Sequence, residues 1–216
     1  MDDLSCDIEG MIAATLAGVD HSIVDRMAVN VPEGECGGMR VEKFTMGEFD
    51  LNNLREAMRN SRGTRPGTYT RLVADNDFWM SDVDAEKLDH WPAVEKISSL
   101  KARRVLINGL GLGMVVQAAL SFDHVEHIDV VEQDERVIKL VSPTYTDPRV
   151  TIHHADAYDQ MKAWPRGTKW DVGWSDIWPE IIPDNLADME RFNRSYAQRC
   201  QWHECWGQHI ARRLRD

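Results

Sequence analysis

The alternation of apolar and polar positions divides the chain near residue 103. Beyond that point short apolar runs alternate with stretches of helical spacing. Arg104–Asn108, His127–Glu132, Val150–His154 and Trp170–Ser175 predict strands; Gly111–Ser121, Asp134–Val141 and Ala157–Trp164 predict helices between them. Strands alternating with helices predict an α/β fold with a parallel sheet and right-handed crossovers. After Asp176 the spacing of Leu186, Met189, Phe192 and Tyr196 predicts one helix from about Asp184, and Trp202 and Trp206, four apart, are placed on the same helix.

Before residue 103 the pattern is more broken. Leu4, Ile8, Met11, Ile12 and Leu16 have helical spacing, with Asp2 or Asp3 as a cap, so residues 1–30 read as one amphipathic helix with a tail. Residues 32–38 break it, a short strand is expected at Met39–Phe44, and Asp50 caps a helix through about Asn60. Ser61–Gly67 reads as a linker. Thr68–Ala74 and Phe78–Met80 form a hairpin around Asp75-Asn76-Asp77, and Ser81 starts a helix that Pro92 should break. The expected division is an N-terminal helical extension and linker (1–66), a hairpin and helix leading into the core (67–100), and a Rossmann-like domain with a C-terminal helix (101–216).

Composition narrows the function. The 216 residues are 43% apolar, enough for a hydrophobic core. A net charge of −11 repels phosphate backbones and argues against a nucleic-acid partner. No apolar run approaches the ~18 residues of a membrane span. The acidic start, Met1-Asp2-Asp3, is unlike a signal peptide, and the four cysteines are scattered, so reduced thiols in the cytoplasm are expected. Cys200, His203, Cys205 and His209 match no common zinc spacing, and no metal is expected.

The candidate chemistry lies at the strand ends. Gly109-Leu110-Gly111-Leu112-Gly113 stands between a strand and a helix, where small residues let a ligand approach the backbone and the helix start offers amide donors. Glu132, followed by Gln133, ends the second strand, where a carboxylate can accept both hydroxyls of a ribose. Asp156, before Ala157, closes the third strand; it can accept from an adenine amine or cap the next helix. Asp176, after Ser175, lies past the fourth strand, and flanking tryptophans could raise its pKa toward that of a base.

These residues resemble class I S-adenosylmethionine-dependent methyltransferases, especially their spermidine-synthase-like branch, over about residues 67–178. The resemblance rests on Gly109–Gly113, Val131-Glu132-Gln133-Asp134, Asp147-Pro148-Arg149-Val150, Ala155-Asp156-Ala157 and Trp170-Asp171-Val172 leading to Asp176, with Met80-Ser81-Asp82, Glu86 and Asp89-His90 upstream. It implies S-adenosylmethionine, or its decarboxylated form, on Gly109, Leu110, Gly111, Gly113, Glu132, Gln133, Asp156, Ala157 and Ser175. Asp176 would meet the reacting centre, and Tyr69, Met80, Ser81 and Trp178 would line the substrate side. Methyl transfer to a small-molecule or protein acceptor is the leading expectation. Aminopropyl transfer, or nucleoside binding by a non-catalytic oligomer, is the alternative. Ile107 matches aminopropyltransferases, which lack an acid two residues before the first glycine; Leu112 does not, since they carry an acid inside the loop. Ser175-Asp176-Ile177-Trp178-Pro179 also lacks the double acid that cradles a polyamine. Such domains continue with three further strands, so this one reads as C-terminally truncated. Its fourth strand would be an exposed edge covered by the N-terminal segment or a second subunit in a homo-oligomer.

Overall fold

In the computed structural model, residues 21–47 and 63–215 are described. The first 20 residues of the helix and tail expected over 1–30, the helix expected from Asp50 to about Asn60, and Cys6 lie outside them. Two sheets organise the rest. The first is an antiparallel meander, β1 (Gly34–Cys36), β2 (Met39–Met46), β3 (Gly67–Ala74) and β4 (Asp77–Ser81), in that order. The expected hairpin is therefore half of a larger sheet. Its turn residues Asp75 and Asn76 take positive φ (52° and 71°), as a tight hairpin requires.

The second sheet has five parallel strands: β5 (Arg104–Asn108), β6 (His127–Glu132), β7 (Val150–His154), β8 (Trp170–Ser175) and β9 (Cys200–Cys205), in spatial order β7-β6-β5-β8-β9. All four pairings are parallel, as the alternating pattern predicts. The β5 and β6 side chains divide by parity. Val105, Ile107, Ile128 and Val130 enter a core shared with Met39, Val41 and Leu72 of the antiparallel sheet, while Leu106 and Val131 face the opposite core with Phe192 and Tyr196. Helices accordingly cover both faces. The helices α2 (Asp84–Ser99), α3 (Met114–Leu120) and α4 (Glu135–Val141) contribute Val94, Val116 and Val137 to the first core; α5 (Ala157–Ala163) and α6 (Leu186–Tyr196) contribute Met161 and Met189 to the second. A short α1 (His21–Asp25) precedes them, and α7 (Gln208–Arg215) ends the described chain.

Four expectations are corrected. The segment carrying Trp202 is strand β9, not a continuation of α6, which stops at Tyr196. β9 pairs with β8 from Trp170↔Cys200 to Ser175↔Cys205, so the edge of the fourth strand is covered by the chain's own C-terminal segment. Ser81 ends β4 and does not cap a helix; its amide and hydroxyl donate to Glu86 (2.8 and 2.6 Å). Pro92 sits inside α2 without ending it. Burial of Ala93, Val94 and Ile97 beyond it outweighs the one backbone hydrogen bond that proline removes. Leu186, Met189, Phe192 and Tyr196 are buried together on α6, as their spacing predicts.

Candidate functional site

β5 delivers the chain into the glycine loop at the end of the sheet where the strands finish, the crevice in which open α/β sheets bind ligands. α3 begins at Met114, later than the expected Gly111, because Gly109, Gly111 and Gly113 all adopt positive φ. A methyl group on Gly109 would stand 2.1 Å from the Asp176 carbonyl oxygen, and one on Gly113 would stand 2.2 Å from the Tyr145 ring. One on Gly111 would meet Met80 Sδ at 2.6 Å. The glycines thus admit neighbouring parts of the protein as closely as any ligand. Tyr145 closes the loop from behind, its hydroxyl donating to the Leu112 carbonyl at 2.8 Å; no pattern around Tyr145 signalled this.

Glu132 is buried and fixes the loop. Its Oε2 accepts from the Leu110 amide (2.9 Å) and its Oε1 from the Asp134 amide (2.8 Å). A carboxylate oxygen has two lone pairs, so each oxygen keeps one for a further donor. Gln133 beside it is exposed. Asp156 caps α5: its Oδ1 accepts from the amides of Tyr158 (2.8 Å) and Asp159 (3.2 Å), and the cap does not use Oδ2. Ala157 is buried behind it.

Asp176 leaves β8 with its amide bonded to the Asn108 carbonyl (2.8 Å), locking the exits of β5 and β8 together. Its side chain keeps 26% of its exposure. Removal from water, then the like charges of Asp89, Glu86 and Glu132, push its pKa up to about 7. His90 of α2 places Nε2 3.9 Å from Asp176 Oδ2, too far for a hydrogen bond. Burial pushes the His90 pKa down to about 4, so a neutral imidazole stands beside the acid.

A buried polar chain supports this end. Asn108 Nδ2 donates to Ser175 Oγ (2.8 Å), and Ser175 Oγ lies 2.9 Å from His203 Nε2. His203 Nδ1 lies 2.7 Å from Asn193 Oδ1, and Asn193 Nδ2 donates to Gln208 Oε1 (2.7 Å). One tautomer satisfies every link: Nδ1 carries the proton, and the Ser175 hydroxyl donates to Nε2. Burial holds the His203 pKa down to about 3, so the ring is neutral. Ser175 is therefore spent on the scaffold. Only Asn108, at the strand end before the loop, could have hinted at this chain.

Met80 is the upstream residue brought directly against the loop. Tyr69 is turned to the scaffold: its hydroxyl donates to the Arg65 carbonyl (2.7 Å), the Lys87 ammonium lies 5.3 Å over its ring, and burial pushes its pKa up to about 12. Trp178 is buried in the second core, its ring 5.6 Å from Phe192. Sequence reasoning gave no role to His90 or His203. Among the described residues, no group of three or more His, Cys, Asp or Glu is arranged to hold a metal, and no helix is long and apolar enough to cross a membrane.

No family model matches the chain. Over 147 residues it is 29% identical to spermidine synthase 1 of Hyoscyamus niger, covering 62% of this chain and 44% of that one. It is 35% identical over 147 residues to a polyamine aminopropyltransferase of Prochlorococcus marinus (strain MIT 9515), covering 63% and 48%. Among solved structures, the spermidine synthase from Thermotoga maritima aligns at a TM-score of 0.47 and 18% identity, over 80% of this chain and 55% of that one. The chain spans about half the length, or less, of the curated relatives it matches. Its sequence similarity lies with the spermidine-synthase-like branch. These relatives are named for aminopropyl transfer, which corrects the expectation of a methyltransferase.

Proposed function

We propose that the chain binds decarboxylated S-adenosylmethionine and serves aminopropyl transfer to a small amine. The observation that carries the reading is the acidic crevice at the loop exit, where Asp176 stands among Glu86, Asp89 and Glu132. A sulfonium nucleoside and an amine acceptor are both cationic, and clustered, partly dehydrated carboxylates favour both. Relatives named for this reaction support it.

In the reaction the acceptor nitrogen attacks the carbon next to the sulfonium. A C–N bond forms as the C–S bond breaks, methylthioadenosine leaves as a neutral thioether, and one ammonium proton must depart. Near pH 7 Asp176 is poised to accept that proton, and the neutral His90 adds no opposing charge. Glu132 would hold the ribose and the Oδ2 of Asp156 the adenine amine. Alignment of the reactants within the crevice would supply most of the acceleration.

Incubation with decarboxylated S-adenosylmethionine and putrescine, followed by mass spectrometry, tests the reading. Methylthioadenosine and spermidine should appear in equal amounts; their absence, with no binding of methylthioadenosine in calorimetry, overturns it. Binding without turnover would favour the second reading, a nucleoside-binding protein whose loop carries Leu112 where aminopropyltransferases carry an acid.

A further inference from the structure

At the opposite end of the sheet, where β8 and β9 begin, lies a cleft of about 470 Å³. Arg166, Lys169, Arg194 and Arg199 line it together with Thr168 and Ser195. We propose that this cleft binds the phosphate chain of a small polyphosphate, independently of the nucleoside crevice.

The charge there is uncompensated. The chain holds 36 acidic and 25 basic residues, so carboxylates are in surplus, and four cations converging on one cleft stand out. Several cations elsewhere do pair: Arg103 with Glu126, Arg136 with Asp134, Arg149 with Asp147, Lys162 with Asp159. In the cleft, Arg199 donates to the carbonyls of Pro165 (3.0 Å) and Trp164 (3.2 Å), and Lys169 to the carbonyl of Gln198. A carbonyl orients a cation without neutralising it. Arg194 meets Glu190 only at 3.8 Å, with both side chains exposed. Among the described residues, no ion pair joins Arg166, Lys169 or Arg199 to a carboxylate.

Charge, shape and chemistry select the ligand. Guanidinium forks match phosphate oxygens, and the two hydroxyls add neutral donors. The volume falls within the ~300–1,000 Å³ of small-molecule pockets. The net charge of −11 over the whole chain repels a long polyanion, so a compact phosphate chain fits where a nucleic acid does not. Lys169 and Asp176 flank the two ends of the six-residue β8, which puts the cleft about 20 Å from the crevice. Arg199 is already held by two carbonyls, so little side-chain freedom is lost on binding.

Calorimetry of the full chain with tripolyphosphate, ATP and adenosine tests this. Tripolyphosphate and ATP should both bind, more weakly as salt rises, and adenosine should not displace tripolyphosphate. Arg166→Gln combined with Arg194→Gln should weaken tripolyphosphate binding at least about tenfold. Both residues are exposed, and an unchanged circular-dichroism melting curve would show the fold intact. No heat with tripolyphosphate at low salt, unchanged binding in the folded double variant, or displacement by adenosine would each overturn the proposal. Binding of ATP but not of tripolyphosphate would also overturn it, because the base and not the phosphate chain would then be recognised.

Discussion

The two ends of the parallel sheet differ in charge and in construction. Where the strands finish, Glu132 and Asp176 lie against backbone, the first accepting two amides and the second anchored by its own. Where they begin, Arg166 and Arg194 reach outward from turns and a helix end into solvent. The acidic end is part of the fold, so its groups are held by backbone, and burial there raises the Asp176 pKa to about 7. At the basic end the exposed Arg166 and Arg194 carry little structural duty, while Arg199 and Lys169 are tied to backbone carbonyls. A change at the first end should disturb stability and ligands together; one at the second should disturb ligands alone.

The sharpest way to break this contrast is a matched pair of glycine substitutions. Gly109→Ala places a methyl against the Asp176 carbonyl at φ +95°, and a loss of about 3 kcal/mol or more is expected. Gly167→Ala, at φ +86° beside the basic cleft, meets no atom within 4 Å and should cost about 1 kcal/mol. Urea midpoints of the two variants measure the difference, and equal midpoints would erase it.

His203→Phe comes next. It strands Ser175 and Asn193 in the interior and should cost about 2–3 kcal/mol. It should also change the acid response. The folded pKa of His203 lies near 3, below its unfolded value, so the unfolded chain binds the extra proton first. That contribution to stability is present above about pH 6.5 and is lost as pH falls toward the folded pKa. Denaturation curves across this window should be flatter for the variant than for the parent.

Asp176→Asn has a smaller effect on the fold and a distinct one on ligands. The folded pKa near 7 is raised, so the stability linked to the protonated acid is fully present below about pH 4 and is lost as pH rises through 7. The variant should lose that decline. In the parent, putrescine should bind up to about tenfold more tightly as pH rises through 7, because Asp176 ionises while the amine stays charged. A calorimetric pH series that rises equally in the variant would assign the effect to another group.

The smallest effect is expected for Arg166→Gln alone, within about 0.5 kcal/mol of the parent in the same urea assay. A larger loss would show that the basic end also carries structural load.

Strands β5 to β8 were legible because their signals are local. Arg104–Asn108 is an apolar run bounded by a glycine loop, and Trp170–Ser175 ends at an acid and a proline-bearing turn. Glu132 and Asp156 were legible as strand-end acids for the same reason. β9 was not. Its polar residues Gln201, His203 and Glu204 break the apolar run that marks a buried strand, and Trp202 and Trp206 mimic helical spacing. His203 joins the interior only because Ser175 and Asn193 meet its two nitrogens, across 28 and 10 residues of chain. Pro92 misled in the opposite direction, a local helix-breaking signal overridden by burial on either side.

By itself, the sequence determined the parallel core, the glycine loop and the carboxylates at the strand ends, since period, glycine placement and strand termini are properties of neighbouring residues. Only the tertiary structure decided that β9 covers β8, that Asp176 is crowded by Glu86 and Asp89, and that Arg166, Lys169, Arg194 and Arg199 share one cleft. Each of these depends on which distant segments stack. The burial or charge of a polar side chain acquires meaning only once its partner, or the lack of one, is in place.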